Sequence, residues 1–262
     1  METERTTGPS FSWTSVFALN SYWVGLSFMW TSLHVILLPA VLLRFVSNEI
    51  KNTALGMLTF AGLIIAMIVQ PLSGAVSDRW RSRWGRRRPL IILGTTLDLL
   101  FLAAMALSND LMLLAIGYFG LQFTSNIAHG PAQGLMHDRV PSVRMGVASG
   151  VKSYLDMAGL VIASLWVSRM LAPDGSNAAQ VVILVACILV AGGLITVLGV
   201  REVSSRVDLA QGASPPSLRD AFRTDWRAHE DYWRLIALVS LLGLRRVPER
   251  SPAPAHGRQQ TL

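Results

Sequence analysis

The chain has 262 residues, of which 52% are hydrophobic and only 15% charged, with a formal net charge of +7. Ordinary soluble domains carry roughly 25% charged residues, so this composition excludes a wholly water-facing surface. The basic excess does not indicate a nucleic-acid partner, because the arginines stand beside long apolar runs rather than on a polar face, as they do where positive charge flanks membrane spans.

Residues 1–15 are polar at their start, with Glu2, Glu4 and Arg5, and read as a cytoplasmic N-terminal segment. The first apolar run that follows is too long for the core of a cleaved signal peptide. A helix needs roughly 20 apolar residues to cross a bilayer, and six segments qualify: 16–46, 53–76, 90–107, 111–136, 145–171 and 178–200. Together they predict an all-α membrane protein, with a six-span bundle over 16–200.

Arginines set the orientation. Arg79, Arg81, Arg83, Arg86, Arg87 and Arg88 follow span two, Arg139 and Arg144 follow span four, and Arg201 and Arg206 follow span six. The opposite turns hold little more than Lys51 and Arg169. Both ends of the unit are therefore expected in the cytoplasm, with the protein in the plasma or inner membrane.

Residues 201–233 read as a cytoplasmic linker and 234–244 as the truncated start of a seventh span, since the apolar run stops before Arg245 and Arg246. The tail, 245–262, is rich in Pro, Arg and Ala and is expected to be disordered. It has the look of out-of-frame reading of GC-rich DNA. The alternative is a natural short chain with a disordered tail. The single cysteine, Cys187, lies in an apolar run and has no partner for an intramolecular disulfide.

The loop between spans two and three holds the densest signal: Gly74, Asp78, Arg79, Arg83, Gly85, Arg86, Arg87, Arg88 and Pro89. Gly74 permits close helix approach. Asp78, at a helix end, can accept hydrogen bonds from backbone N–H groups at a neighbouring helix N-terminus. The arginines can pair with Asp78 and with lipid phosphates. Gly85 suits a tight turn, and Pro89 the first turn of span three.

This Gly, Asp-Arg, Gly-basic pattern resembles the cytoplasmic gate motif of the major facilitator superfamily, in the expanded form of its sucrose-transporter and glycoside–cation symporter branch. Near the end of span four, Asn126, Gly130, Pro131 and Asp138 are similar to a second pattern of that branch, with Gln133 standing where the pattern has an arginine. The resemblance implies half of a major facilitator fold, built of inverted three-helix repeats. It also implies proton- or cation-coupled transport of a sugar or similar small solute. A single bundle then needs a partner, either a C-terminal half or a second copy. The rival reading is a non-transporting membrane fragment or interaction scaffold.

Read without the family, Asn126, His129, Gln133 and His137 recur at helical spacing and share a face. That stripe fits either a cavity or an interhelical contact. Asp98 and Asp156 lie roughly 12–15 Å into spans three and five at 1.5 Å per residue, and Lys152 stands one turn before Asp156. A charge at that depth costs at least ~2.5 kcal/mol unless paired or hydrated. Asp98, Asn126, His129, Gln133, Lys152 and Asp156 are therefore the candidate substrate and ion pathway, an internal ion pair being the alternative for the charged three. Asp98, with no partner on its own helix, is the expected proton carrier. Asn20 and His34 read as packing residues. Trp23 and Trp30, one heptad apart, fit sugar stacking as well as interfacial anchoring. No phosphate loop, zinc spacing or nucleophile elbow occurs, so the chain is read as a non-enzyme with no cofactor or metal.

Overall fold

The computed structural model describes residues 12–172, 175–200, 202, 233–234, 237–239 and 241. The chain divides into two compact units, 1–215 and 216–262. In the second, Trp233, Arg234, Ala237, Leu238, Val239 and Leu241 are helical. The linker and tail expected over 201–233 and 245–262 lie outside the described residues, save Glu202 and Trp233.

The first unit is an all-helical bundle with six helices long and apolar enough to cross a membrane. They are α1 (Trp13–Leu42), α2 (Lys51–Arg79), α3 (Arg88–Ala106), α4 (Leu111–Arg139), α5 (Met145–Met170, preceded by a 3₁₀ turn at Ser142–Arg144) and α6 (Ala178–Gly199). Every expected span is present. The helices run beyond the apolar runs at the basic end, so that Asp78, Arg79, Asp138 and Arg139 form final helical turns rather than loop.

In hydrocarbon the backbone must satisfy its own polar groups, which helices do. Where the ladder is disturbed, a local cause is visible. In α1 the segment Ser32–Leu37 is a π-helical turn immediately before Pro39, whose missing N–H and bulky ring slacken the preceding turn. Further back in α1 the Thr196 hydroxyl of α6 accepts from the Tyr22 N–H at 3.0 Å and donates to the Ala18 carbonyl at 2.7 Å. It thus bonds to both members of one i, i+4 backbone pair of α1.

Small residues bring the helices together. α1 packs on α6 and α5, α2 on α4, α3 on α4 and, less extensively, α6. A Cβ at Gly25 would come within 2.9 Å of the Leu189 backbone, and one at Gly192 within 2.6 Å of the Ser21 carbonyl. A Cβ at Gly94 would stand 2.7 Å from the Thr124 carbonyl. By contrast α2 and α5 leave broad apolar faces exposed, including Met57, Phe60, Met67, Tyr154 and Met157.

The packing predicts that Gly94→Leu, which forces α3 away from the α4 backbone, destabilises the bundle by about 1–3 kcal/mol. Gly146→Leu, whose Cβ meets nothing within 4 Å, should leave the thermal unfolding midpoint in lipid nanodiscs essentially unchanged. Equal midpoints for the two variants would contradict the close α3–α4 contact.

Candidate functional site

At the basic end, the sequence crowds arginines around two helix ends that terminate in aspartates. Arg87 is the hub. Its side chain is only 7% exposed, and its guanidinium donates to Asp78 at 2.5 Å, to Asp138 at 3.0 Å and to the Ser77 hydroxyl at 2.5 Å. One planar cation thereby ties the end of α2 to the end of α4 from the start of α3. Gly134 makes this possible, because a Cβ there would run into the Arg87 guanidinium.

Arg86 adds a second pair with Asp138, at 2.6 Å. Burial works to lower the Arg86 pKa, but the hydrogen bond and charge of Asp138, with the charges of Asp78 and Glu202, raise it above its ordinary value. Breaking such a buried network by removing one partner strands the opposite charge.

The sequence reading gives Asp78 the backbone N–H groups of a neighbouring helix end. In this bundle Asp78 meets the Arg87 side chain, the arginine pairing expected of it, and Glu202, just beyond α6, holds the start of α3. Its carboxylate accepts from the N–H groups of Arg86, Arg87 and Arg88 at 3.0–3.2 Å, where the first turn of α3 has no helical carbonyls to offer. Gly85, with φ +96°, bends the chain beneath it, and any side chain there would collide with Glu202. Pro89 falls in the first turn of α3, as expected. Arg83 is exposed and lies over the Trp84 ring. A Cβ at Gly74 meets nothing, so that edge of α2 is open to a further helix.

The second constellation lies mid-bundle. Lys152 donates to Asp156 at 2.8 Å across one turn of α5. The Ser27 hydroxyl of α1 donates to the other Asp156 oxygen at 2.9 Å. The Lys152 ammonium stands 3.8 Å from the centre of the Trp23 ring, which meets His129 edge-on at 4.9 Å. These groups, with Trp30, line a cavity of about 310 Å³.

A second cavity of about 550 Å³ adjoins it, sharing Trp30 and His129, and is lined also by His34, Thr59, Gln70, Gln122 and Asn126. Trp30 stacks on His34, which shares a 3.0 Å hydrogen bond with Tyr118, and Gln122 donates to the same hydroxyl at 2.8 Å. The two lobes draw on α1, α2, α4 and α5; neither is lined by α3 or α6.

The structure therefore brings together His129, Lys152, Asp156 and Asn126 of the expected pathway. Gln133 stands near the rim, where Gln70 donates to it at 3.1 Å, and His137 bonds back to the Gln133 carbonyl. Asp98 is elsewhere: it is fully buried on α3, behind both lobes, where the Thr124 hydroxyl stands 2.6 Å from it. His34, read as a packing residue, lines the larger lobe.

Sequence reasoning missed Ser27, Gln70, Gln122 and Glu202. Gln122 carried a signal, one turn before Asn126 on the same face. Gln70 carried one too, as an amide within an otherwise apolar stretch.

A family model described as MFS/sugar transport protein matches residues 21–245 of the chain. The sucrose transport protein SUT1 of Oryza sativa subsp. japonica is 33% identical over 99 residues, covering 29% of this chain and 18% of that protein. Solute carrier family 45 member 3 of Mus musculus is 32% identical over 114 residues, covering 38% of this chain and 20% of its own. The membrane-associated transporter protein of Homo sapiens is 48% identical over 48 residues, or 18% of this chain and 8% of its own. The matched part spans about a fifth or less of the length of these curated relatives.

The network predicts that Arg87→Ala, which removes the partner of the partly exposed Asp78 and Asp138, costs about 1.5–3 kcal/mol of stability. Arg83→Ala on the exposed side should stay within about 0.5 kcal/mol. Denaturant unfolding in micelles gives both values, and similar losses from the two would remove Arg87 from the centre of the network.

Proposed function

The chain belongs to the MFS/sugar transport protein family, and from that premise we propose that it supplies one six-helix bundle of a secondary transporter moving a sugar or similar small solute, coupled to protons or another cation. The observation that carries this reading is the cavity at Trp23, Trp30, His129, Lys152 and Asp156.

Its chemistry suits a neutral, hydroxyl-rich solute. Lys152 and Asp156 neutralise each other, so the site has no net charge with which to hold an ion, yet both present hydrogen-bonding capacity to the cavity. Trp23 and Trp30 offer flat apolar faces of the kind that stack on the C–H face of a sugar ring. The adjoining lobe adds amides that both donate and accept: Gln70, Gln122 and Asn126. At these volumes one lobe accommodates a single ring and the pair a larger solute.

In this reading the exposed faces of α2 and α5 are covered by a second bundle, either a C-terminal half or a second copy. Solute binds between the two near the midplane, and alternating access is the rocking of one against the other. The Arg87 network then acts as the cytoplasmic gate, with both ends of the bundle on the cytoplasmic side.

The test is equilibrium binding of sucrose and of maltose to the chain in lipid nanodiscs. Saturable binding of at least one is expected, weakened tenfold or more, about 1.4 kcal/mol, by Trp23→Ala and by Asp156→Ala. Ile183→Ala, exposed on α6, which lines neither lobe, should leave it unchanged. Failure of both sugars to bind, or binding indifferent to both cavity variants, ends this reading.

A further inference from the structure

Asp98 is an ionisable side chain that the cavity does not use. It is fully buried on α3 among α1, α4 and α6, and among the described residues no cation faces it. The Thr124 oxygen lies 2.6 Å from Asp98 Oδ1 and 3.0 Å from the Gly120 carbonyl. Both neighbours are then acceptors, and a hydroxyl has one hydrogen to give. With Asp98 ionised that hydrogen goes to the carboxylate, the Gly120 carbonyl keeping its helical N–H; a proton on Asp98 allows a second arrangement. With the hydrogen on Oδ1, Asp98 donates to Thr124, and Thr124 is free to donate to Gly120.

No cation compensates the alternative. From α1 the facing titratable group is the Tyr22 phenol, which is buried beside the Thr95 hydroxyl and carries no positive charge. α4 contributes Thr124, while its His129 turns to the cavity. α6 approaches with Gly193 and carries no charged residue between Ala178 and Gly199. The nearest charge along α3 is Arg88, ten residues away, or about 15 Å. An uncompensated carboxylate in this setting is far more costly than a hydrogen-bonded neutral acid.

We propose that Asp98 and Thr124 form a proton-binding site, with Asp98 a neutral carboxylic acid in this packing, set behind the solute cavity rather than in it. The step is a plain dissociation, Asp98–COOH to Asp98–COO⁻ and a proton passed to water. When the proton leaves, the Thr124 hydrogen turns from the Gly120 carbonyl to the carboxylate. That change falls on α4, whose Asn126 and His129 face the cavity two and five residues further on. The part this plays in coupling rests on the transporter reading; the proton on Asp98 does not.

The test is infrared spectroscopy of the chain in lipid nanodiscs at pH 7, about three units above the ordinary aspartate value of ~3.9. The expected result is a protonated-carboxylic-acid carbonyl band that is absent from Asp98→Asn and still present but shifted in Thr124→Val, which changes its hydrogen bond. Asn reproduces the neutral acid in shape, so Asp98→Asn should fold and unfold at or above the wild-type midpoint. No such band at pH 7, a band unchanged in Asp98→Asn, or a band abolished by sodium ions would each overturn the proposal, the last by marking a metal-cation site instead. Sugar binding, measured separately, can fail while the band persists, so the two readings fall independently.

Discussion

Hydrocarbon offers no hydrogen bonds, and the placement of polar groups in this bundle follows from that. Side chains that cannot reach water bond to the helix that carries them: Asn20 to the Val16 carbonyl, Ser32 to Phe28 and Asn126 to Gln122, each one turn back. Others cross to a neighbour, as Ser73 does from α2 to the Asn126 carbonyl on α4. The same demand makes the basic end costly to disturb, because the buried Arg87 depends on the buried Ser77 and on two partly exposed aspartates for its hydrogen bonds. It also makes Asp98 conspicuous, as a fully buried carboxyl held by the Thr124 hydroxyl.

Function in this fold separates by helix. α1, α2, α4 and α5 build the lobed cavity, while α3 and α6 stand behind it. The cavity holds its charges as an internal pair, and the rear of the bundle holds a lone carboxyl. One arrangement keeps hydrogen-bonding groups available to a solute without a net field. The other isolates a titratable group from both solute and lipid. α4 is the element common to both, since Thr124 faces back and Asn126 and His129 face forward.

Much of this was legible from local chemistry. The six spans follow from run length and hydropathy, because nothing else satisfies that much apolar backbone. The loop 74–89 was readable because its glycines, aspartate and proline sit at spacings a tight basic turn needs. The Lys152–Asp156 pair was readable because both lie on one helix, one turn apart. What was hidden comes from pairings distant in sequence. Glu202 lies more than a hundred residues from the N–H groups it caps, and nothing in its own neighbourhood marks it. Ser27 is an ordinary helix serine until α5 sets Asp156 beside it. Asp98 and Asp156 look alike by depth, and only the rotation of α3 relative to α4 separates a buried acid from a cavity-lining one. The pairing of Asp78 with an arginine was readable too, because both sit in the same short basic segment.

The Thr196 hydroxyl within the α1 ladder has a mechanical consequence. Because it bonds to two backbone groups of α1 at once, sliding one helix past the other would break both bonds together. α1 and α6 are thus keyed like a shaft and its collar, and α5 travels with them through its contact with α1. α2 and α3 are joined in the same way through α4. Between these two trios α1 and α4 barely touch where the cavity opens, and the packing of α3 on α6 behind it is what joins them, so the seam is tied at the back and open on the side where a solute would sit.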